Sequence, residues 1–450
     1  MSKVFKIRKG LDIKLKGEAN VNDVREFKPT LYAVEPARLR LFNPRLLVKE
    51  GDVVECGTPV LQNKLDERII LTSPVSGVVQ KIKRGEKRKL LAVEILADEK
   101  NKKIDFGKEA IDSLSRDKII EKLLMSGLWS LIRQRPYGII ANPDDTPRDI
   151  FISAINSAPL SVSDDSFIKK HTKEFQAGIN VLKKLTDGNV HIGIHQEKSD
   201  KQMYEAFKNV ELHLFKGPHP VGNVGVQIHH VAPINKGEKI WYLSLQDVVA
   251  VGKLFNEGYR DIPRFVTLAG SELKETYMLE MPAEASIKEI VSENIKQENV
   301  RVISGNVLTG TNVGKDGFLG LYDSMITVIP EGDEHEILGW MAPGFNKHSA
   351  SRTFLAFLCP RKKYRLNTNY HGGKRAFVFG SQYEDVFPFD ILPVYLMKAI
   401  LAGDIEKMEN LGIYEVVEED FALCEYVCTS KMELQQIMQD GIDLMIKEMS

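Results

Sequence analysis

LQDVVAVGKLFNEGYRDIPRFVTL, residues 245–268, carries the fold in miniature. Apolar residues recur at helical spacing over Leu245–Asn256, Gly258 stands where a helix stops, and Phe265–Leu268 reads as a strand. Working backward, the same unit recurs. Strands are expected at Tyr137–Ala141, Ile150–Ala154, Val190–Ile194 and Val210–Leu214, with a helix over Phe167–Leu185 stopped by Gly188. An earlier helix carries Ile119, Ile120, Leu123 and Leu124, with Gly127 close behind. Strands separated by periodic helices predict a mostly parallel, Rossmann-like α/β domain over residues 101–269.

The first hundred residues read differently. Short apolar runs alternate with turns at Lys49–Asp52, Cys56–Pro59, Ser73–Gly77 and Arg84-Gly85. From Leu47 to Val79 the pattern resembles a biotinyl/lipoyl-type hammerhead, so a β domain is expected over residues 31–100. Residues 1–30 are expected to pack on the α/β domain. Past Gly270, short strands with many glycines suggest a small α+β module over residues 270–330. The C-terminal region, 331–450, is largely helical after Phe387. The multidomain class is thus mixed α/β and α+β.

Composition narrows the function. The chain has 450 residues, net charge −1 and 43% hydrophobic residues, so large cores are available and no basic face marks a nucleic-acid partner. Four cysteines (Cys56, Cys359, Cys424, Cys428) are too few for a disulfide scaffold, and Met1–Gly10 has no apolar core of a signal peptide. A cytoplasmic setting follows. The most apolar run, Tyr242–Phe255, is broken by Gln246, Asp247 and Lys253, so no transmembrane helix is expected.

Reaction chemistry is scarce. Lys64, in QNKLDE, stands where a carrier domain holds its modified lysine, but Asn63 and Leu65 flank it and the turn is longer. GTNVGKD (310–316) misses the spacing of a phosphate loop, and Asp316 would repel phosphate. No G-x-G-x-x-G follows a strand. His191 and His195 alternate with Val190, Ile192 and Ile194 on a strand, while His213, His219, His229 and His230 have no neighbouring carboxylate or thiol at ligand spacing, so no metal site is expected. Cys424 and Cys428 share one helical face, short of the four thiolates of an iron–sulfur cluster. No nucleophile–base constellation and hence no catalytic residue is found.

Several segments, spread in order from end to end, resemble the NqrA family, a component of the sodium-translocating NADH:quinone reductase. They include IRKGLDIKLKG (7–17), SPVSGVVQKIKRGEKR (73–88), SGLWSLIRQRP (126–136) and FKGPHPVGNVG (215–225). QDVVAVGKLF (246–255), RVISGNVLTG (301–310), LGWMAPGFNKHSASRTFL (338–355) and EEDFALCEYVCTSK (418–431) complete the set. The resemblance implies a peripheral, cytoplasmic-face subunit of a six-subunit bacterial inner-membrane translocase that oxidises NADH, reduces ubiquinone or another quinone and exports Na⁺. Flavins, iron–sulfur centres and NADH belong to other subunits, and the nearest partner is the flavin-bearing membrane subunit. It also implies a β-grasp-like (SLBB-type) identity for residues 270–330.

Relatives of complex I and Rnf type carry a glycine-rich flavin loop. The corresponding Gly127-Leu-Trp-Ser-Leu-Ile-Arg-Gln-Arg-Pro136 is bulky, and Pro136 removes an N–H, so no prosthetic group is expected in this chain. Cys424 and Cys428 stand as a remnant of a cluster. Two readings of the loop stand. Trp129, Arg133 and Arg135 could line a quinone-proximal surface, offering an apolar slot and donors. Alternatively, Trp129 is core and the arginines pair with carboxylates. The competing whole-chain readings are a carrier modified at Lys64 and a flavin-binding, NADH-oxidising subunit.

Overall fold

The computed structural model describes residues 3–333, 336, 338, 339, 341, 343–378 and 380–449. Trp340 and Ala342, inside the segment 338–355, lie outside them. Strands β1 (Val4–Lys6) and β2 (Asn20–Glu26) open the chain and join different sheets. The next strands are β3 (Leu31–Val34), β4 (Pro44–Leu46), β5 (Val53–Val54), β6 (Pro59–Asn63), β7 (Ile70–Thr72), β8 (Gly77–Arg84) and β9 (Leu90–Ala97). They make a four-stranded sheet, β3-β9-β8-β5, and a three-stranded one, β4-β6-β7. Val60, Leu61 and Leu71 from one sheet and Val79, Val93 and Ile95 from the other share a single core.

The α/β region follows: α1 (Arg116–Met125), β10 (Arg133–Arg135), β11 (Ile139–Ile140), β12 (Asp149–Ser153), α2 (Asp165–Lys170), α3 (Thr172–Lys183), β13 (Val190–His195), α4 (Lys201–Glu205), β14 (Glu211–Lys216), α5 (Val224–Val231), β15 (Ile240–Ser244) and α6 (Leu245–Glu257). Its sheet runs β1-β14-β13-β12-β15-β10-β11, parallel from β1 to β15 and antiparallel beyond. Strand alternation divides the core. Ile150 and Ile152 of β12 join the cluster of α3 and α6, while Phe151 between them joins Val224 and Ile228 of α5.

Helix α6 is well punctuated. Ser244 and Asp247 form a reciprocal capping box, and Gly258 closes the helix at φ +80°. Its crossing of α3 is close. A Cβ at Gly252 would lie 1.8 Å from the Glu174 carbonyl oxygen, and one at Gly178 would lie 2.1 Å from that of Val248. Only glycine lets those backbones touch. The helix expected over Phe167–Leu185 is two helices, meeting where the Thr172 hydroxyl bonds back to the Ile168 and Lys169 carbonyls and loosens the turn.

The strand expected at Phe265–Leu268 exists as β16 (Pro263–Ala269), but it does not complete the α/β sheet. With β17 (Tyr277–Pro282), α7 (Lys288–Asn294), β18 (Val300–Ser304), β19 (Thr311–Asn312) and β20 (Met325–Pro330) it builds a separate sheet, β19-β18-β20-β16-β17-β2. The place beside β12 is taken by β15, whose Ile240-Trp-Tyr-Leu243 run is buried on both faces. Helices α8 (Ser381–Glu384), α9 (Pro393–Leu401), α10 (Ile405–Asn410), α11 (Ala422–Val427) and α12 (Leu434–Met449) cap the molecule around Phe387, Phe389, Phe421 and Met438. No described helix is long and apolar enough to cross a membrane.

The N-terminal segment latches onto the loop after β14. Leu11 N–H donates to the His219 carbonyl at 2.8 Å, and His219 N–H donates to Asp12 Oδ1 at 2.9 Å. The His219 ring is buried, with Nδ1 2.9 Å from Ser157 Oγ, and burial pushes the imidazole down from 6.5 to about 4. The unfolded chain therefore takes up this proton first as pH falls. Stability from neutral His219 is complete above about pH 6.5 and is lost as pH drops toward 4, by up to about 3 kcal/mol. Urea unfolding at pH values from 8 to 4.5 should show that slope, and His219→Gln should flatten it.

Candidate functional site

The loop after α1, residues 127–136, is packed between the β domain and the α/β sheet. Gly127 ends the helix at φ +75°, and a Cβ there would lie 2.6 Å from Thr72 Oγ1, which presses the loop against the β domain. Leu128, Leu131 and Ile132 are wholly buried, and Trp129 is 1% exposed. Trp129 Nε1 donates to the Ala141 carbonyl at 2.7 Å, and its ring meets Trp241 edge-on with centroids 5.4 Å apart. The turn Leu128–Leu131 is only four residues long, so it presents no helix N-terminus with converging N–H groups. The loop's own side chains fill the space around this turn.

Beyond the turn, β10 turns Arg135 toward the helical cap and Arg133 toward Tyr322, in the loop before β20. Arg133 lies between the rings of Tyr242 and Tyr322, 4.6 and 4.5 Å from their centroids. Arg135 is fully buried. Its Nη1 donates to Asp420 Oδ2 at 3.0 Å and its Nη2 to Glu419 Oε1 at 2.8 Å. Of the residues expected at a quinone-proximal surface, Trp129 and Arg135 are buried and Arg133 is partly buried between its two tyrosines. Trp129 is core and Arg135 is paired with carboxylates, as the second reading has it.

Two further buried pairs join separate elements. Arg264 Nη2 donates to Asp247 Oδ1 at 2.6 Å, and Arg260 Nη2 donates to Glu284 Oε2 at 2.7 Å. Sequence reasoning missed both, because arginine and carboxylate come from separate elements and no spacing in the chain connects them. A cavity of about 120 Å³ opens nearby, lined among others by Glu35, Arg38, Glu284 and Tyr322. Burial pushes the Glu35 and Glu284 carboxyls up.

Cys424 and Cys428 sit buried inside the cap. Tyr383 donates its hydroxyl to Cys428 Sγ at 2.8 Å, and burial pushes the Cys424 thiol up, which disfavours the thiolate a cluster would require. Cys56 is in the β domain, its Sγ 3.2 Å from the Pro74 carbonyl oxygen, and Cys359 is exposed. Lys64 is exposed just past β6. In GTNVGKD, Lys315 pairs with Glu298 and Asp316 with Lys288, so the stretch behaves as turn chemistry.

One expectation about the histidines is corrected as well. His213 does have a carboxylate close by: His191, Glu211 and His213 bring ligand atoms within 4.8 Å of one another. Glu211 and His213 stand two apart on one face of β14, and pairing of β13 with β14 brings His191 to them.

Three sequence models of protein domains match the chain in order. The NqrA N-terminal barrel-sandwich hybrid domain matches residues 5–98, the NqrA second alpha/beta domain 114–260, and the NQRA C-terminal domain 265–315. The last begins inside β16, the strand that leaves the α/β sheet. The NqrA subunit of the Na(+)-translocating NADH-quinone reductase from Yersinia pestis bv. Antiqua is 36% identical, covering 97% of this chain and 98% of its own length. Its counterpart from Hahella chejuensis is 35% identical over 99% of this chain and its whole length, and that from Pasteurella multocida 35% over 98% and 99%. Similarity of this depth along the full length places the chain in the NqrA family of Na(+)-translocating NADH-quinone reductase subunits.

Proposed function

We propose that the chain works as a peripheral, structural subunit of a sodium-translocating NADH:quinone reductase, without a prosthetic group of its own. The relatives' names supply the enzyme, and the packed 127–136 loop carries the reading that this subunit does no redox chemistry. Where a flavin-binding relative needs bare backbone, this loop offers Trp129 and three wholly buried aliphatic side chains. Trp129, Arg133 and Arg135 serve as pins of the interdomain seam. Flavins, iron–sulfur centres, NADH and quinone belong to the assembled six-subunit enzyme. The chain docks on its membrane subunits, the flavin-bearing one first, from the cytoplasmic side.

A carrier role at Lys64 would add the mass of a prosthetic group to the chain, and an NADH-oxidising role would give it a visible spectrum. The expected result is neither: the purified chain is colourless above 350 nm and has its unmodified mass. Added to a membrane complex depleted of this subunit, it should restore NADH-driven quinone reduction. Stoichiometric flavin in the isolated chain, or full activity of the depleted complex, would refute the reading.

A further inference from the structure

We propose that His191, His213 and Glu211 form a Zn²⁺ site that ties β13 to β14 at the amino-terminal end of the parallel sheet. His191 Nδ1 lies 2.9 Å from His213 Nε2 and 3.4 Å from Glu211 Oε2. Ligand atoms about 2.0–2.1 Å from a tetrahedral zinc ion lie roughly 3.3 Å from one another, so His191 is already near that separation from each of the other two, and all three atoms lie within 4.8 Å of one another. Two imidazoles and a carboxylate are a donor set that suits zinc, and the fourth position faces solvent beside the half-exposed Glu211.

Each donor is also held by a neighbour that leaves the ligating atom facing the others. Asp149 Oδ1 lies 3.4 Å from His191 Nε2, which keeps the imidazole proton on Nε2 and the lone pair on Nδ1. The His191 ring stacks against Phe151 with centroids 4.5 Å apart. Asn189 Nδ2 donates to Glu211 Oε1 at 2.9 Å, so Oε2 is the oxygen turned toward His191. Phe5 of the edge strand meets the His213 ring edge-on at 6.0 Å. When Nε2 ligates, its proton moves to Nδ1.

Position gives the role. Open α/β sheets hold substrates beyond the carboxyl ends of their strands. His191 and Glu211 stand at the opposite end, second in β13 and first in β14. The bound ion is a structural clamp between adjacent strands.

The test is calorimetric titration of the metal-stripped full-length chain with ZnSO₄, followed by Co²⁺ and visible spectroscopy. One equivalent should bind saturably, and Co²⁺ should give the intense visible bands of a four-coordinate site. His213→Ala and Glu211→Gln should each weaken binding about 10-fold or more, while His230→Gln should leave it unchanged. Should His213→Ala fail to fold, Glu211→Gln alone decides. Absence of saturable binding, or binding that Glu211→Gln does not weaken, overturns the proposal.

Discussion

Asp420→Ala is expected to destabilise the protein by about 3–5 kcal/mol, because it strands the buried guanidinium of Arg135. Both side chains of this ion pair are wholly inaccessible. Burial pushes the Asp420 carboxyl up, while the Arg135 guanidinium 3.0 Å away favours its ionised form. Without Asp420, Arg135 keeps Glu419, a third exposed, and the Glu415 carbonyl at 3.3 Å. Asp420 Oδ2 also accepts from Val417 N–H at 3.0 Å, so the turn that leads into α11 loses its cap. Arg135→Met combined with Asp420→Leu should cost far less, about 1–2 kcal/mol, since no buried charge is left unpaired: only the Val417 N–H and the Glu415 carbonyl lose a partner inside, and Glu419, a third exposed, turns to water. Denaturant unfolding of the two singles and the double gives the coupling energy. A loss below about 1 kcal/mol for Asp420→Ala would mean that this pair does not hold the cap to the sheet.

That pair also shows where reading the chain reaches its limit. The α/β alternation was legible because each element carries its own periodicity: Leu245–Glu257 is capped by Ser244 and ended by Gly258, all within a single short stretch. Strand Ile240–Ser244 was missed because both its faces are buried. A continuous apolar run running straight into a helix has no period of two to reveal it. Phe265–Leu268 was legible as a strand but not as a member of another sheet, since partner choice depends on β2 and β20, far away in sequence. The same holds for sites. The bulk of Trp129 could be weighed from composition, whereas the fate of Arg135 depended on Asp420, 285 residues away. His191, Glu211 and His213 meet across a strand pair, so only the register shows them together.

Trp129→Ala should cost about 3–5 kcal/mol and should not create a flavin site. The first half follows from packing. The indole is 1% exposed, stands edge-on to Trp241, and satisfies the Ala141 carbonyl. Truncation leaves a large cavity and an orphaned acceptor. Trp129→Phe keeps most of the volume and should cost about 1–3 kcal/mol, chiefly through that acceptor. The second half follows from the backbone. A phosphate needs several N–H groups converging at a helix start. Here Gly127 leads into a single turn, and Leu128, Leu131 and Ile132 remain in place around it. The hole left by the indole is lined by apolar side chains and one carbonyl acceptor, with no donor to hold an anion. Fluorescence titration of Trp129→Ala with FMN is therefore expected to show no saturable change. Stoichiometric FMN binding by this variant would mean that one side chain closes an intact flavin cradle, and the protein would then be a flavoprotein with its pocket plugged.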